Sequence, residues 1–339
     1  MGSNAVDIVI STYKRGSRIL PTINSIRASS HPHFTLWILD QSEDCQTEEA
    51  VAPILANDQR LRYLRMPLRG ISATRNAGAA LGTAPYILFT NDDCVVAKRW
   101  VEAMVCELRN PKNCLAFGRV LAGPLQSTDL PFSIGSQMVL ALKESTVREV
   151  YRHDRFNLGF GHGHNMGARR DAFSRLGGFD EKLGAGTPFA SWDDLDIGYR
   201  ILRRGGQLVY TPEALLYHCH WLNWQGVQAS YRNYGIGAGA AAAKYIRSGD
   251  PEARKILVRW FFDHGLRQIL SGMFKRRSLD RIRVGFSQLY YPWLGIAASL
   301  PYAIDRRTTV YTAVRSNTGK YLLSTILRLV PLFKLLSLK

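Results

Sequence analysis

Residues 86–94 read Tyr86-Ile87-Leu88-Phe89-Thr90-Asn91-Asp92-Asp93-Cys94. The apolar run Tyr86 to Phe89 is short and rich in aromatic and branched side chains, which predicts a buried strand rather than a helix. It ends in two adjacent carboxylates, which repel unless a cation lies between or beside them. Their oxygens suit a hard ion such as Mg²⁺ or Mn²⁺, and such an ion is often shared with phosphates. Helix capping is the other common use of an Asp-Asp pair, and these residues alone leave both uses open.

Outward from this stretch, the same grammar repeats. Val6 to Ser11, Phe34 to Leu39, Leu61 to Met66 and Leu115 to Leu121 are further apolar runs that predict strands. Arg18 to Ala28, Glu48 to Ala56 and Arg99 to Leu108 carry apolar residues at helical spacing, and Ser72 can cap a small-residue helix running to Leu81. Strands alternating with helices predict an α/β fold, with a mostly parallel central sheet and helices on both faces. In such sheets ligands bind beyond the carboxyl ends of the strands. The polar residues fall there: Thr12 and Arg15 after the first strand, Asp40 after the second, Asp92 and Asp93 after the fourth. Leu130 to Glu149 is expected to be a surface excursion with one helix. From Gly159 to Trp221 the chain is dense in Gly, His and acidic residues.

Composition sets the outer bounds. The 339 residues are 46% hydrophobic and 21% charged, which excludes wholesale disorder and allows a full core. The formal charge is +17, and +14 of it lies after residue 225. A near-neutral module is therefore followed by a basic attachment, and an anionic partner is expected: a nucleotide, a nucleic acid or a membrane surface. Five cysteines with no CxxC spacing argue against a zinc site or disulfide framework and for a reducing compartment. Asp7, Lys14 and Arg15 interrupt the early apolar residues, so no secretory signal is read there.

A second acidic segment is Ser191-Trp192-Asp193-Asp194-Leu195-Asp196. Carboxylates opening a helix are favoured by its dipole, but three in four positions exceed what a cap needs. On a helix Asp193 and Asp196 lie near one another while Asp194 points elsewhere.

With both segments in view, the chain resembles a family 2 glycosyltransferase of GT-A fold over about residues 6–222. The resemblance rests on an ordered set: Thr12-Tyr13-Lys14-Arg15, Asp40-Gln41-Ser42, Gly70 to Gly78 with Arg75, Asn91-Asp92-Asp93, Gly177 to Glu181, Asp193 to Asp196, and Ala214 to His220. It implies an inverting enzyme that takes a sugar from a nucleotide-diphosphate donor, with UDP- or dTDP-sugars favoured. By the same resemblance Thr12, Arg15, Asp40, Arg75 and Asp92 contact the nucleotide. Asp93 and His218 hold a divalent cation, Mn²⁺ or Mg²⁺, with His220 as a substitute ligand, and Asp194 is the catalytic base. His164, Asn165, Trp192 and Asp193 are expected at the acceptor or sugar side. Asn91 departs from the Asp often found first in the strand-end motif, and Trp192 stands where the family usually has Gly. That indole narrows the acceptor site, stacks on a sugar or lipid, or packs in the core.

Residues 223–339 lie outside the resemblance and form the second expected domain. Arg254 to Ile269 and Arg276 to Gln288 mix basic and apolar residues at helical spacing. Residues 284–304 carry no charge, but they include Pro292, Pro301 and two glycines, so a surface-lying or shallowly inserted hairpin is favoured over a membrane span, with a buried helix of a soluble domain as the third reading. Lys320 to Lys339 has the pattern of an interfacial amphipathic helix. The expectation is a cytoplasmic enzyme, peripheral on the inner face of the cell membrane, that adds sugar to a lipid-linked glycan acceptor. A protein or small-molecule acceptor and an inactive scaffold are the rivals. Nucleic acid is not expected as a partner, because the cations are interleaved with long apolar side chains and no nucleic-acid motif is present.

Overall fold

The computed structural model describes residues 4–67, 70–124, 138–275 and 277–314. The chain divides into two compact units, Met1–Phe179 with Asp194–Trp224 and Asp180–Asp193 with Gln225–Lys339. The second unit therefore includes a fourteen-residue loop from within the segment that resembles a glycosyltransferase.

The first unit is built on a nine-stranded sheet. Its strands are β1 (Val6–Thr12), β2 (Phe34–Asp40), β3 (Leu61–Arg65), β4 (Tyr86–Asn91), β5 (Cys94–Val96), β6 (Asn113–Ala122), β8 (Glu149–Tyr151), β9 (Met166–Arg169) and β10 (Gln207–His218), while a short β7 (Met138–Val139) pairs with β11 (Trp221–Leu222). The order is β3-β2-β1-β4-β9-β6-β10-β5, with β8 on β10. Six of the nine strands run one way; β9, β5 and β8 run the other. The antiparallel β9 between β4 and β6 is not legible beforehand, because Met166-Gly167-Ala168-Arg169 has no β-branched residue.

The helices are α1 (Leu20–Arg27), α2 (Gln46–Asn57), α3 (Ile71–Leu81), α4 (Trp100–Leu108), α5 (Arg170–Leu176) and α6 (Asp193–Arg203). Alternation along the strands sorts them onto two faces. Val6, Ile8 and Ile10 pack with Ile23 and Ile26 of α1, Val51 of α2, and Trp100 and Met104 of α4. Val9, Ile87 and Phe89 pack on the opposite face with Ala79 of α3, Phe173 of α5 and Ile197 of α6. Each fully buried Ile or Phe here contributes about 1.5–3 kcal/mol of burial free energy.

Helix α3 starts differently from the expectation. Gly70 is the N-cap residue, with φ of 88°, and Ser72 lies inside the helix. Gln41 fixes this start, since its side-chain oxygen accepts from the Gly70 amide at 3.0 Å. Among the described residues of the 130–149 excursion, 138–149 contain no helix; residues 130–137 lie outside the described chain.

The second unit is helical. It contains α7 (Trp224–Arg247), α8 (Arg254–Trp260), α9 (Arg267–Leu270) with π-helical turns Phe261–Leu266 and Ser271–Lys275, α10 (Leu279–Ser299), and a hairpin of β12 (Tyr302–Asp305) and β13 (Val310–Val314). The 284–304 stretch is thus divided between α10 and β12. No described helix is long and apolar enough to cross a membrane. The proposed amphipathic helix at 320–339 lies outside the described residues.

The small-residue run 235–243 is buried in α7. A methyl on Gly239 would collide with the Pro292 carbonyl of α10, and one on Gly295 would collide with that of Ile236, so only glycine permits this helix crossing. The 180–193 loop is tied into the unit by Asp180. Its carboxylate accepts from Lys244 Nζ at 2.6 Å and from the Tyr311 amide at 2.9 Å, and Asp180 and Lys244 are fully buried. Phe189 packs on Tyr302 and Tyr311, and Ser191 Oγ donates to the Asn233 carbonyl at 2.8 Å.

Candidate active site

The sheet register brings the predicted residues to one edge. Thr12 pairs with Asp40 and Ser11 with Asn91, so β1, β2 and β4 finish level. The chain then turns through Asp92 and Asp93 into β5, where Cys94 pairs with His218 of β10. The Cys219 amide donates to the Asp93 carbonyl at 2.8 Å. Two segments far apart in sequence thus set Asp93 beside His218 through backbone pairing alone.

Arg15 closes the acidic corner, with Nε 2.9 Å from Asp92 Oδ1 and Nη2 3.0 Å from Asp93 Oδ2. His218 Nε2 lies 3.6 Å from Asp93 Oδ1 and His220 Nδ1 lies 3.3 Å from Asp93 Oδ2. Burial pushes the Asp93 carboxyl up, but the His220 hydrogen bond and the Arg15 guanidinium outweigh it and hold Asp93 below the usual carboxylate range. Burial, with the adjacent Asp93 charge, raises Asp92. The two neighbours therefore separate into one firmly ionised group and one more readily protonated.

The His218 tautomer follows from its other partner. Nδ1 lies 3.1 Å from the Leu140 carbonyl, which can only accept, so Nδ1 carries the hydrogen and Nε2 presents a lone pair toward Asp93. Burial lowers the pKa of His218, so the neutral form is the resting one. A lone pair facing a carboxylate is repulsive unless a cation is shared between them. The donor set of Asp93 Oδ1 and His218 Nε2, with the backbone carbonyl behind the imidazole, fits a divalent cation. Cys94 Sγ also lies close enough to be grouped with these atoms. Its thiol is held protonated by burial and the Asp93 charge, and it donates to Asp93 Oδ1 at 3.5 Å, so it supports the carboxylate rather than offering a thiolate.

Behind His218 stands a stack of imidazoles. His162 and His164 are 5.6 Å apart, His164 and His218 4.5 Å, and His218 and His220 5.9 Å. Burial pushes His162 down to about 4 and His164 well below the ordinary value. His162, His164 and His218 are therefore neutral near pH 7. Among the described residues the buried His164 Nε2 has no hydrogen-bond partner.

Asp194 sits at the opening of α6 and is gripped by two backbone amides. Gly163 N donates to Oδ2 at 2.7 Å and Leu195 N to Oδ1 at 2.8 Å. Burial raises its pKa against these two hydrogen bonds and the Arg75 charge. Gly163 is needed where it is: a Cβ there would lie 2.9 Å from both Arg75 Nη1 and Asp194 Cβ. Arg75 is buried, donates to Asn91 Oδ1 at 2.9 Å and lies over the Phe179 ring. Asn91, where an Asp is common, thus gives Arg75 a neutral acceptor. Asp196, the third acid, is fully buried on Arg200 at 2.8 Å, and that guanidinium also donates to the Leu176 and Gly178 carbonyls. Its work is to hold a turn.

Other expected site residues turn inward. Asp40 is fully buried and accepts from Ser42 N, Ser42 Oγ and Tyr63 OH at 2.9, 2.5 and 2.8 Å. Asn165 accepts from Trp100 Nε1 at 2.7 Å and donates to the Arg119 and Ala214 carbonyls at 2.8 and 2.9 Å, so both ends of its amide are committed to protein. Trp192 is buried in the second unit beside Trp260 and against Gly237, with φ of 73°; of the uses open to it, core packing is the one found. Thr12 is buried at the end of β1, and Asp193 is half-buried at the start of α6. The Gly163 amide and the Leu140 carbonyl had no signal in the sequence, because a backbone group carries no residue identity.

An α/β sheet with a carboxylate–imidazole corner beside an amide-held carboxylate defines a transferase-like site of GT-A type. The glycosyl transferase family 2 model matches residues 7–177, and the chain belongs to that family. A pre-mycofactocin glycosyltransferase of Mycobacterium tuberculosis is 25% identical over 261 residues, covering 74% of this chain and 50% of that protein. This chain therefore spans about half the length of that relative. A glucosyl-dolichyl phosphate glucuronosyltransferase of Haloferax volcanii is 22% identical over 218 residues, covering 63% of this chain and 68% of that one. Among solved structures, a mannosyltransferase of Pyrobaculum calidifontis in complex with GDP-Man and Mn²⁺ aligns with a TM-score of 0.53 at 17% identity, over 96% of this chain and 79% of that one. Residues 1–349 of S. aureus TarS align with a TM-score of 0.51 at 13% identity, over 87% and 79%. At these identities the two structures speak for the fold.

Proposed function

We propose that this protein moves a sugar from a nucleotide-diphosphate donor to a hydroxyl of a lipid-linked glycan, in polysaccharide or glycoconjugate assembly. The observation that carries the reading is the His218 lone pair, fixed by the Leu140 carbonyl and aimed at Asp93. Asp93 and His218 would hold a divalent cation, with His220 adjoining. When bound, that ion supplies charge neutralisation to the diphosphate leaving group. The Mn²⁺ named for the Pyrobaculum structure supports this.

The protein's own groups do the rest. Thr12, Arg15, Arg75 and Asp92 line the nucleotide side, and Asp40 backs the same strand ends. Asp194 takes the proton of the acceptor hydroxyl, and its raised pKa improves it as a base. The amides of Gly163 and Leu195 keep its carboxylate from rotating. The acceptor oxygen bonds to the anomeric carbon as the carbon–oxygen bond to the diphosphate breaks, and that electron pair leaves on the phosphate oxygen. One displacement inverts the anomeric centre.

UDP- and dTDP-sugars remain the favoured donors, while the GDP-Man of the Pyrobaculum structure makes GDP a required arm of any test. The dolichyl phosphate in the Haloferax protein's name supports a lipid-linked acceptor. The mycobacterial relative is named for pre-mycofactocin and not for a lipid, and a protein or small-molecule acceptor is the alternative. The test is transfer of radiolabelled sugar from each donor, with Mn²⁺, into membrane extracts. Label in the organic-soluble lipid fraction is expected. Label only in peptide or small aqueous products would support the alternative, and no Asp194-dependent label at all would favour an inactive scaffold.

A further inference from the structure

The second unit exposes many large apolar side chains along residues 258–300. Eleven of the eighteen exposed large hydrophobic residues among the described chain lie within residues 258–300. Such concentration exceeds the scattered exposure usual on soluble surfaces and marks an interaction face. On α10, Leu279, Phe286, Tyr290 and Trp293 fall within about 60° of one another at helical spacing. Leu279 and Trp293 are 71% and 66% exposed. On the preceding helical stretch Phe261, Phe262, Met273 and Phe274 are exposed as well, Phe274 at 76%.

Glycines on the inner face bring the helical stretches close together. A Cβ on Gly265 would collide with Leu289 of α10, and one on Gly272 would lie 2.7 Å from Ile282. The two helical stretches therefore approach closely at these glycines, with Ile269, Ile282 and Leu289 packed between them and the larger Phe261, Phe262, Phe274 and Trp293 left outside.

The rim of this face is cationic. Arg254, Lys255, Arg259, Arg267, Lys275, Arg277 and Arg283 are all exposed. Between residues 252 and 283 the sequence has nine basic residues against three acidic ones. That charge decides the occupant. A second copy of the chain would bring the same cations face to face. Residues 315–339 contain five basic residues and no acidic one, so they would meet like charge too. An anionic lipid surface satisfies both properties, taking apolar side chains below its phosphates and cations beside them.

We propose that the face carrying Phe274, Leu279, Phe286 and Trp293 docks on an anionic membrane, with these side chains at headgroup depth and Arg267, Lys275, Arg277 and Arg283 against lipid phosphates. This deepens the lipid-linked acceptor reading and rests on it for what the surface is for. It also moves the contact from the uncharged 284–304 stretch as a whole to one stripe of α10 and the turn before it.

The test is co-sedimentation of the full chain with phosphatidylcholine vesicles, with and without phosphatidylglycerol. Binding to the anionic vesicles, weakened by salt, is expected. The F274S/W293S double variant should lose about tenfold or more in vesicle affinity. V147S, at a residue equally exposed but outside the face, should lose nothing. Unchanged circular-dichroism melting excludes misfolding as the cause. No vesicle binding, equal binding to neutral vesicles, or equal loss in V147S would overturn the proposal. So would a dimer in sedimentation velocity that F274S/W293S dissociates. Vesicle binding with no sugar delivered to lipid would leave this surface standing and sink the acceptor reading instead.

Discussion

The two units solve opposite packing problems. In the first, apolar side chains point inward from the strands of the sheet, and ionisable groups gather at one sheet edge where each is met by another charge or a backbone group. In the second, Gly and Ala fill the inside of α7 and sit at the helix contacts, while Phe274, Leu279, Phe286 and Trp293 point outward. The first unit's burial builds a rigid frame that holds chemistry. The second packs its α7 core with small residues and leaves an apolar outer face on residues 258–300. Its buried Asp180–Lys244 pair holds the 180–193 loop that leads directly into Asp194.

The largest effects should come from the first unit's edge. Asp194→Asn keeps the shape but cannot take a proton; kcat in sugar transfer should fall about 10²–10⁴-fold while nucleotide affinity is unchanged. Equal loss of both would mean that Asp194 belongs to the donor side.

In the second unit, Lys244→Met should destabilise by about 3–5 kcal/mol, because Asp180 would stay buried without its cation. Thermal unfolding measures this, and a melt within a degree of the parent would show that the pair is not what ties the loop down. The contrast between the units predicts that the loss is structural, with nucleotide affinity recovered at lower temperature.

Gly163→Ala tests a subtler point. The added methyl meets Arg75 and Asp194, so the base should turn and kcat drop about tenfold to a hundredfold, with donor KM little changed. A KM effect of the same size would assign Gly163 to donor binding.

The pH profile should follow from His218. Its lowered pKa keeps the imidazole neutral below the pH at which an ordinary histidine, near 6.5, gains its proton. Metal-dependent nucleotide binding should therefore persist as pH falls to 6.5 and be lost only further down, as Nε2 protonates. In His218→Gln that acid limb should disappear. Tyr63→Phe should give the smallest effect, about 1 kcal/mol of stability from the lost hydrogen bond to Asp40, read in the same melts.

Much of the fold was legible because strands carry a loud signal. Val6 to Ser11, Phe34 to Leu39 and Tyr86 to Phe89 are runs with no other comfortable reading, and the structure extends each by a residue or two. What escaped was governed by backbone. Gly70 rather than Ser72 heads α3, because Gln41 captures the amide there. Strand β9 forms from residues with weak intrinsic preference because β4 and β6 flank it. At the site, Asp93 and His218 were readable by residue type, but the Leu140 carbonyl that fixes the imidazole and the Gly163 amide that grips Asp194 were not. Asn165 and Trp192 show the converse: polar and aromatic residues in a motif-rich stretch look functional until burial and partners are seen.

The most direct test of the account is calorimetric titration of UDP, dTDP and GDP, with and without Mn²⁺, into the intact protein and Asp93→Ala. The account predicts metal-dependent binding of one nucleotide that the substitution abolishes. Binding that ignores the metal and survives the substitution would contradict the Asp93–His218 site, and no binding by any nucleotide to the folded protein would contradict the donor reading altogether.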